Sequence, residues 1–235
     1  MTYGRPNRGG GRDLIIFDMI TALGIVHFLL KTSGTSLEVV TQIYALMWVM
    51  SLLILMMLRV YGGPGGQMGD AVDYDENIQR NHLGWLIGSI AVIAIVNGLA
   101  ASAAAQGVQL SSWVIQLSSA QVSGTFSSTA TVLDDVLYNF FLVAQAEETI
   151  KVMATLALFR KTRNLWLSAG LPIGVWAAFH GYLAYTGGSM NLFIFSAFIS
   201  GVVLFVTLYK TKSLINAVVA HGAWDCIVLL QGLLH

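Results

Sequence analysis

Two adjacent glutamates lie in the middle of an apolar stretch of this chain. Glu147 and Glu148 are followed by Lys151, and all three lie within the mainly apolar run from 136 to 159. A charged side chain at the centre of a bilayer costs roughly 2.5–3.5 kcal/mol on insertion scales. Paired carboxylates in such a run therefore favour a functional role, and general-base chemistry is the role that suits them.

Imidazole and carboxylate groups in two later apolar runs could complete a site. His180 follows Trp176 by four residues, and Asp225 follows His221 by the same spacing, so each pair shares a helix face. Glu147 with His180 could activate a water, and His221 with Asp225 could stabilise a developing oxyanion. Trp176 could orient the His180 ring, and Asp225 could fix the His221 tautomer or contact substrate. These roles describe peptide hydrolysis without a covalent enzyme intermediate.

Lys151 lies three residues after Glu148 and four after Glu147, so it can neutralise either carboxylate. The two glutamates point about 100° apart on a helix, so one can pair with Lys151 while the other faces a cavity. The alternative is a structural ion pair inside a helix bundle. Each histidine taken alone could equally be a hydrogen-bonded packing residue.

The composition predicts a membrane protein. The chain has 235 residues, of which 56% are hydrophobic and 10% are charged, whereas a soluble domain carries about 25% charged residues. We expect an integral, multi-pass protein of the cell membrane with lipid as its neighbour. The formal net charge is zero, so nothing indicates a nucleic-acid partner.

Seven apolar runs predict an all-α fold, a polytopic bundle of about seven transmembrane helices. Their approximate bounds are 13–31, 37–60, 83–105, 134–159, 165–186, 191–209 and 213–233. We divide the chain into a disordered basic arm (1–12), a three-helix membrane segment with a polar outer loop (13–131) and a four-helix catalytic core (132–235). With the N-terminus in the cytoplasm, ten of the twelve lysines and arginines are cytoplasmic, as the positive-inside rule requires.

The helix rise places four of the candidate side chains at similar depths. Glu147 lies roughly 18 Å from the cytoplasmic end of its helix, and His180 roughly 22 Å. His221 and Asp225 lie roughly 12 and 18 Å along the last helix. All four therefore fall near the middle of a hydrocarbon core of about 30 Å, where they could meet in one buried polar cavity.

The three motifs together resemble those of the CPBP/Abi superfamily. They are Glu147-Glu148 on one helix, Trp176-x-x-x-His180 on the next and His221-x-x-x-Asp225 on a later one. That superfamily includes the CAAX prenyl endopeptidases, which are glutamate-dependent intramembrane proteases. The resemblance implies that Glu147 and His180 activate water and that His221 and Asp225 form an oxyanion hole. It also implies a transmembrane or lipidated protein substrate.

The chain departs from that pattern at three positions. The superfamily usually has Glu-Glu-x-x-x-Arg, whereas this chain has Glu-Glu-x-x-Lys, ending at Lys151. That spacing is more similar to the PrsW-type proteases, which cleave membrane-bound regulators. Trp176 stands where Phe is usual, and Asp225 stands where Asn is common. An ionised Asp225 would repel an oxyanion, so it must be protonated or serve only His221.

Two other functions fit the same residues. One is a non-catalytic membrane scaffold, immunity or assembly subunit, and the other is a proton-coupled transporter, although no inverted repeat is visible. We expect no cofactor. Two histidines and a glutamate can bind zinc, but the chain lacks a His-Glu-x-x-His motif, so no required metal is predicted. The sequence leaves the oligomeric state open.

Overall fold

Seven helices and no strand make up the part of the chain that the structure, a computed structural model, describes. The described residues are 10–62, 82–106, 132–184, 190–211 and 213–233. The helices are α1 (Gly10–Thr32), α2 (Ser36–Gly62), α3 (His82–Ala105), α4 (132–162), α5 (Leu165–Ala184), α6 (Met190–Thr211) and α7 (Leu214–Leu233). The all-α fold is confirmed for these residues, and each helix end lies within about three residues of its predicted position.

The first helix begins three residues earlier than predicted. Residues 10–12, which the sequence assigns to the disordered arm, belong to α1. Residues 1–9, the loop at 63–81 and residues 107–131 of the predicted outer loop lie outside the described residues.

The fourth helix changes its geometry halfway along. It is α-helical at Val132–Tyr138, π-helical at Asn139–Ala144 and α-helical again at Gln145–Thr162. A π turn holds more residues than an α turn, and such turns occur frequently at functional sites. Here the π segment ends directly before the residues that include both glutamates.

A glycine of α7 makes room for the π segment. A Cβ atom at Gly222 would lie 2.7 Å from the ring of Phe140, closer than real Cβ contacts allow. Because position 222 has no side chain, α7 can approach α4 at the level of the neighbouring His221.

A tight connection returns the chain from α4 to α5. Arg163 takes a left-handed conformation, with φ of 54°, and its N–H bonds to the carbonyl of Phe159. The side-chain oxygen of Asn164 then accepts the N–H of Leu167 at 3.0 Å, which caps the start of α5. Since only these two residues separate the helices, α5 runs back alongside α4 and carries Trp176 past the glutamates.

The fourth helix is the centre of the packing, since it contacts α1, α2, α5 and α7. On the far side of α5, helix α6 packs against α3, α5 and α7. A Cβ atom at Gly201 of α6 would meet Ile173 at 2.7 Å and the Trp176 ring at 3.2 Å, so this glycine permits close packing against the Trp176 side chain.

Pairs of polar side chains join α3 to α6 and α7. Ser89 bonds to Thr207, the Asn97 amide donates to Ser200 at 3.0 Å, and Asn216 of α7 contacts His82 at 2.8 Å. Each pair satisfies polar groups that burial would otherwise leave unbonded.

The outer faces of the helices are apolar. Within the described ranges, two helical stretches are long and apolar enough to cross a membrane, namely His82–Ala103 and Leu192–Thr211. Large apolar side chains also have more than half of their surface exposed, and they include Leu23, Leu30, Leu46, Leu83, Ile95, Leu99 and Val175. Exposed apolar surface on this scale is typical of proteins that contact lipid or partners.

Candidate active site

Both oxygen atoms of the Glu147 carboxylate accept a hydrogen bond. The indole N–H of Trp176 donates to Oε2 at 2.5 Å, and the hydroxyl of Tyr44 donates to Oε1 at 2.9 Å. Because the donors come from α5 and α2, the carboxylate is fixed from two sides. The charge-assisted bonds offset part of the cost of burying it.

Two imidazoles face the same Glu147 oxygen. The Nε2 atom of His180 lies 3.9 Å from Oε2, and the Nε2 atom of His221 lies 3.6 Å from it. Both separations exceed the length of a direct hydrogen bond, and polar groups at such distances are often bridged by a water. The structure thus brings together these three side chains, which come from three different helices.

Trp176 does more than orient an imidazole. Its ring lies 4.3 Å from the His180 ring and 5.7 Å from the His221 ring, measured between centroids. The Nζ atom of Lys151 lies 3.7 Å from the centre of the same ring, a cation–π distance. The indole thus contacts the ammonium, both imidazoles and the Glu147 carboxylate.

Glu148 is bound to a different set of partners. Its Oε1 lies 2.5 Å from Lys151 Nζ and 2.7 Å from His221 Nδ1. The structure thus shows the division that the sequence allows, in which one carboxylate pairs with Lys151 and the other faces the two imidazoles.

His221 has a partner that the sequence did not indicate, in addition to Asp225. Glu148, and not Asp225, lies at Nδ1, whereas Asp225 Oδ2 lies 3.5 Å from Nε2. When Nδ1 donates to Glu148, a neutral imidazole has only a lone pair at Nε2. His221 can therefore donate a hydrogen bond from Nε2 only when both ring nitrogens carry a proton.

The cluster is open on one side. The side chains of His180 and Asp225 are 25% and 24% exposed, whereas those of Glu147, Glu148, Lys151 and His221 are 4–7% exposed. A molecule that approaches Glu147 would therefore pass beside His180 and Asp225.

A small cavity borders the cluster at Glu148 and Lys151. It has a volume of about 10 Å³ and is lined by Glu148, Lys151 and Thr155 together with apolar residues of α4, α5 and α6. That volume is close to the minimum for one water molecule.

Two contacts from the N-terminal helices were not predicted from the sequence. One is the Tyr44 bond to Glu147, and the other joins α1 to α4, where Gln145 Nε2 donates to Asp18 Oδ1 at 2.6 Å. Tyr44 lies in a helix rich in Leu and Met, where a tyrosine resembles an ordinary packing residue. The only available signal was that Asp18 and Gln145 are polar residues within apolar runs.

The cluster contains side chains of the types that bind metal ions. Among the residues that the structure describes, no group of three or more His, Cys, Asp or Glu side chains is arranged to hold a metal ion. The carboxylates and imidazoles of the cluster instead face one another and Lys151.

A comparison with protein families agrees with this geometry. Residues 129–227 match the family model described as Type II CAAX prenyl endopeptidase Rce1-like. No curated protein and no solved structure matches the chain. The matched stretch includes Glu147, His180, His221 and Asp225, whereas Tyr44 lies outside it. The resemblance to the CPBP superfamily is thereby confirmed for residues 129–227, which are similar to the Rce1-like CAAX prenyl endopeptidases and are called the Rce1-like domain below.

Proposed function

We propose that this protein is an intramembrane glutamate-type endopeptidase that cleaves a membrane-embedded or lipidated protein by activating a water. The observation that carries the proposal is the meeting of the Glu147 carboxylate with the imidazoles of His180 and His221. These groups come from three different helices and lie beside the open side of the cluster. The Rce1-like match supports peptide-bond hydrolysis as the reaction.

We further propose that the whole bundle is embedded in the cell membrane. In this proposal all seven helices span the bilayer and the N-terminus is cytoplasmic. The exposed apolar side chains and the two long apolar helices support it. The bundle would then consist of an N-terminal membrane segment (13–131) and a catalytic core (132–235), with a short basic arm before them.

Glu147 is the proposed general base. Its Oε2 atom takes a proton from a water held between Glu147 and His180, and the oxygen of that water bonds to the carbonyl carbon of the substrate. The resulting tetrahedral intermediate breaks its C–N bond, and the proton passes from Glu147 to the leaving amine. The fixed Trp176 and Tyr44 donors hold the carboxylate in place, so little reorganisation is required.

His221 is proposed to stabilise the oxyanion from Nε2. This role requires a proton on both ring nitrogens, because Nδ1 faces Glu148. Lys151 and the doubly protonated His221 then offset the charges of Glu147 and Glu148. Asp225 Oδ2 lies 3.5 Å from the same Nε2 atom, so Asp225 is protonated in this scheme, because an ionised carboxylate there would repel the oxyanion.

The proposed mechanism needs neither a metal nor a cofactor. Glu147 supplies the base and the imidazoles supply the donors, so the water is activated without a Lewis acid. Activity in the presence of excess EDTA is the corresponding control, and loss of activity that zinc restores would contradict this part of the proposal.

The proposal is tested with purified protein and a transmembrane or lipidated peptide. The Glu147→Ala variant is expected to lose cleavage by about 10²–10⁴-fold, the usual range for a general base, while its circular dichroism spectrum stays unchanged. The Asp134→Asn variant is a matched control, because Asp134 is a carboxylate of the same helix that lies outside the cluster. Unchanged cleavage by the Glu147→Ala variant would overturn the proposal.

A non-catalytic scaffold is the second candidate. It is favoured by Glu148, whose contacts with Lys151 and His221 are those of a structural ion network. In that case Glu147→Ala and His180→Ala variants would both complement a deletion strain. Failure of both variants to complement, with normal protein levels in the membrane, supports the peptidase.

A further inference from the structure

The first two helices contact α4 at the level of the candidate base, although they lie outside the Rce1-like domain. Helix α2 contributes the Tyr44 hydroxyl, which donates to Glu147 Oε1 at 2.9 Å. Helix α1 contributes Asp18, which accepts a hydrogen bond from Gln145 at 2.6 Å. Gln145 and Glu147 point to different sides of α4, so α1 and α2 each form a hydrogen bond to a different side of this helix.

The Tyr44 bond acts on the carboxylate oxygen that does not face the imidazoles. Oε1 accepts from Tyr44, whereas Oε2 accepts from Trp176 and faces His180 and His221. A carboxylate group rotates easily about its terminal bond, because that torsion has a broad energy minimum. A donor on each oxygen removes this freedom and keeps Oε2 directed at the imidazoles.

We propose that Tyr44 is a positioning residue for Glu147, and that helices α1 and α2 complete the active site of the Rce1-like domain. The proposal rests on the function proposed above. Without α1 and α2, the catalytic core (132–235) would lack the Tyr44 donor, and Oε1 of Glu147 would lose that hydrogen bond. The charge-assisted bond from Tyr44 stabilises the ionised carboxylate and fixes its orientation, and both effects favour proton transfer from water.

Several other charged or titratable groups face Glu147 and influence the same carboxylate. They are Glu148 and Lys151 of α4, His180 of α5, and His221 and Asp225 of α7. A Tyr44→Phe variant leaves all of them in place. A change in the titration of the activity can therefore be attributed to the phenol hydroxyl.

The test compares Tyr44→Phe with Tyr138→Phe in the full-length protein. Tyr138 also places a phenol at the interface of α2 and α4, where its hydroxyl lies 3.5 Å from Thr41 Oγ1. Both variants lose one hydroxyl group at this interface, but only Tyr44 contacts Glu147. We expect Tyr44→Phe to lower kcat by about 10- to 100-fold with KM within about threefold of the wild type, as for loss of a hydrogen bond to a charged group.

The pH dependence of kcat distinguishes a positioning role of Tyr44 from a purely structural one. Without the Tyr44 donor the charged form of Glu147 is less stabilised, so the low-pH limb of the kcat profile is expected to move to higher pH. Tyr138→Phe is expected to leave that limb unchanged. Loss of thermal stability in Tyr44→Phe without movement of the limb would overturn the proposal.

An infrared measurement makes the inference independent of catalysis. Difference spectra between each Tyr variant and the wild type, with ¹³C-labelled glutamate, report the carboxylate stretch. Tyr44→Phe is expected to shift a band that Glu147→Gln removes. If the wild type cleaves no peptide but this band shifts, the proposed function fails and the contact stands. If cleavage depends on Glu147 while neither the band nor the pH limb responds to Tyr44→Phe, the positioning role is wrong.

Discussion

Helix α4 takes part in two groups of side chains that have the same chemistry but different surroundings. Near its start, Asp134 pairs with Lys31 and lies 3.3 Å from His27 Nε2. In its middle, Glu148 pairs with Lys151 at 2.5 Å and with His221 at 2.7 Å. We call these the terminal trio (Asp134, Lys31, His27) and the buried trio (Glu148, Lys151, His221). Each consists of a carboxylate, an ammonium and an imidazole.

Burial separates the two trios. The side chains of His27 and Lys31 are 56% and 31% exposed, whereas every member of the buried trio is 5–7% exposed. Exposed ion pairs contribute about 0–1 kcal/mol, because the charges are well solvated without each other. Removal of one partner from a buried pair leaves an uncompensated charge in a medium that solvates it poorly.

The two trios also differ in what lies beyond them. His221 of the buried trio reaches Glu147 through its second nitrogen, at 3.6 Å. The buried trio therefore lies next to the candidate base, and in the proposed mechanism its charge state affects the reaction. The same three groups thus stabilise a helix end in one place and, in the proposed mechanism, act on the candidate base in the other, and burial and neighbouring contacts distinguish the two roles.

The largest expected effect comes from removing the ammonium of the buried trio. We expect Lys151→Met to lower the free energy of unfolding by about 3–5 kcal/mol, because Glu148 then keeps only His221 as a partner. The measurement is unfolding of the purified protein in micelles. Lys31→Met is the matched control, since it makes the same substitution in the terminal trio. Equal losses of unfolding free energy in the two variants would show that burial does not distinguish the two trios.

A much smaller effect is expected at the start of the helix. Asp134→Asn should lower the free energy of unfolding by about 1 kcal/mol or less and leave cleavage unchanged. Salt should reduce the difference further, because the partly exposed charges are screened. The measurement is the same unfolding experiment in low and high salt. A large loss of stability that does not respond to salt would show that the terminal trio behaves as a buried one.

Much of the fold and of the cluster follows from the sequence. The seven helices could be predicted because each is a long apolar run between polar segments. That Glu147, His180 and His221 could meet was inferred from the regular helix rise, which depends little on packing details. Lys151 could be assigned to a glutamate because a spacing of three residues brings both onto one face.

The remaining contacts depend on packing that no local pattern encodes. The π segment at Asn139–Ala144 arises where Phe140 fits against Gly222, and these residues lie far apart in the sequence. The Tyr44 bond depends on which face of α2 meets α4, and an almost uniformly apolar helix gives no indication of its buried face. The contact between Glu148 and His221 could not be predicted for the same reason, because it joins two helices that are far apart in the sequence.

The π segment has a consequence for how the length of α4 can vary. A π turn accommodates one surplus residue without displacing the helix on either side of it. We expect a single-residue deletion within 139–144 to restore an ordinary helix and leave the two glutamates in phase with their partners. The same deletion after residue 145 would rotate everything beyond it by about 100°, so a scan of deletions along α4 should show one permissive window upstream of Glu147.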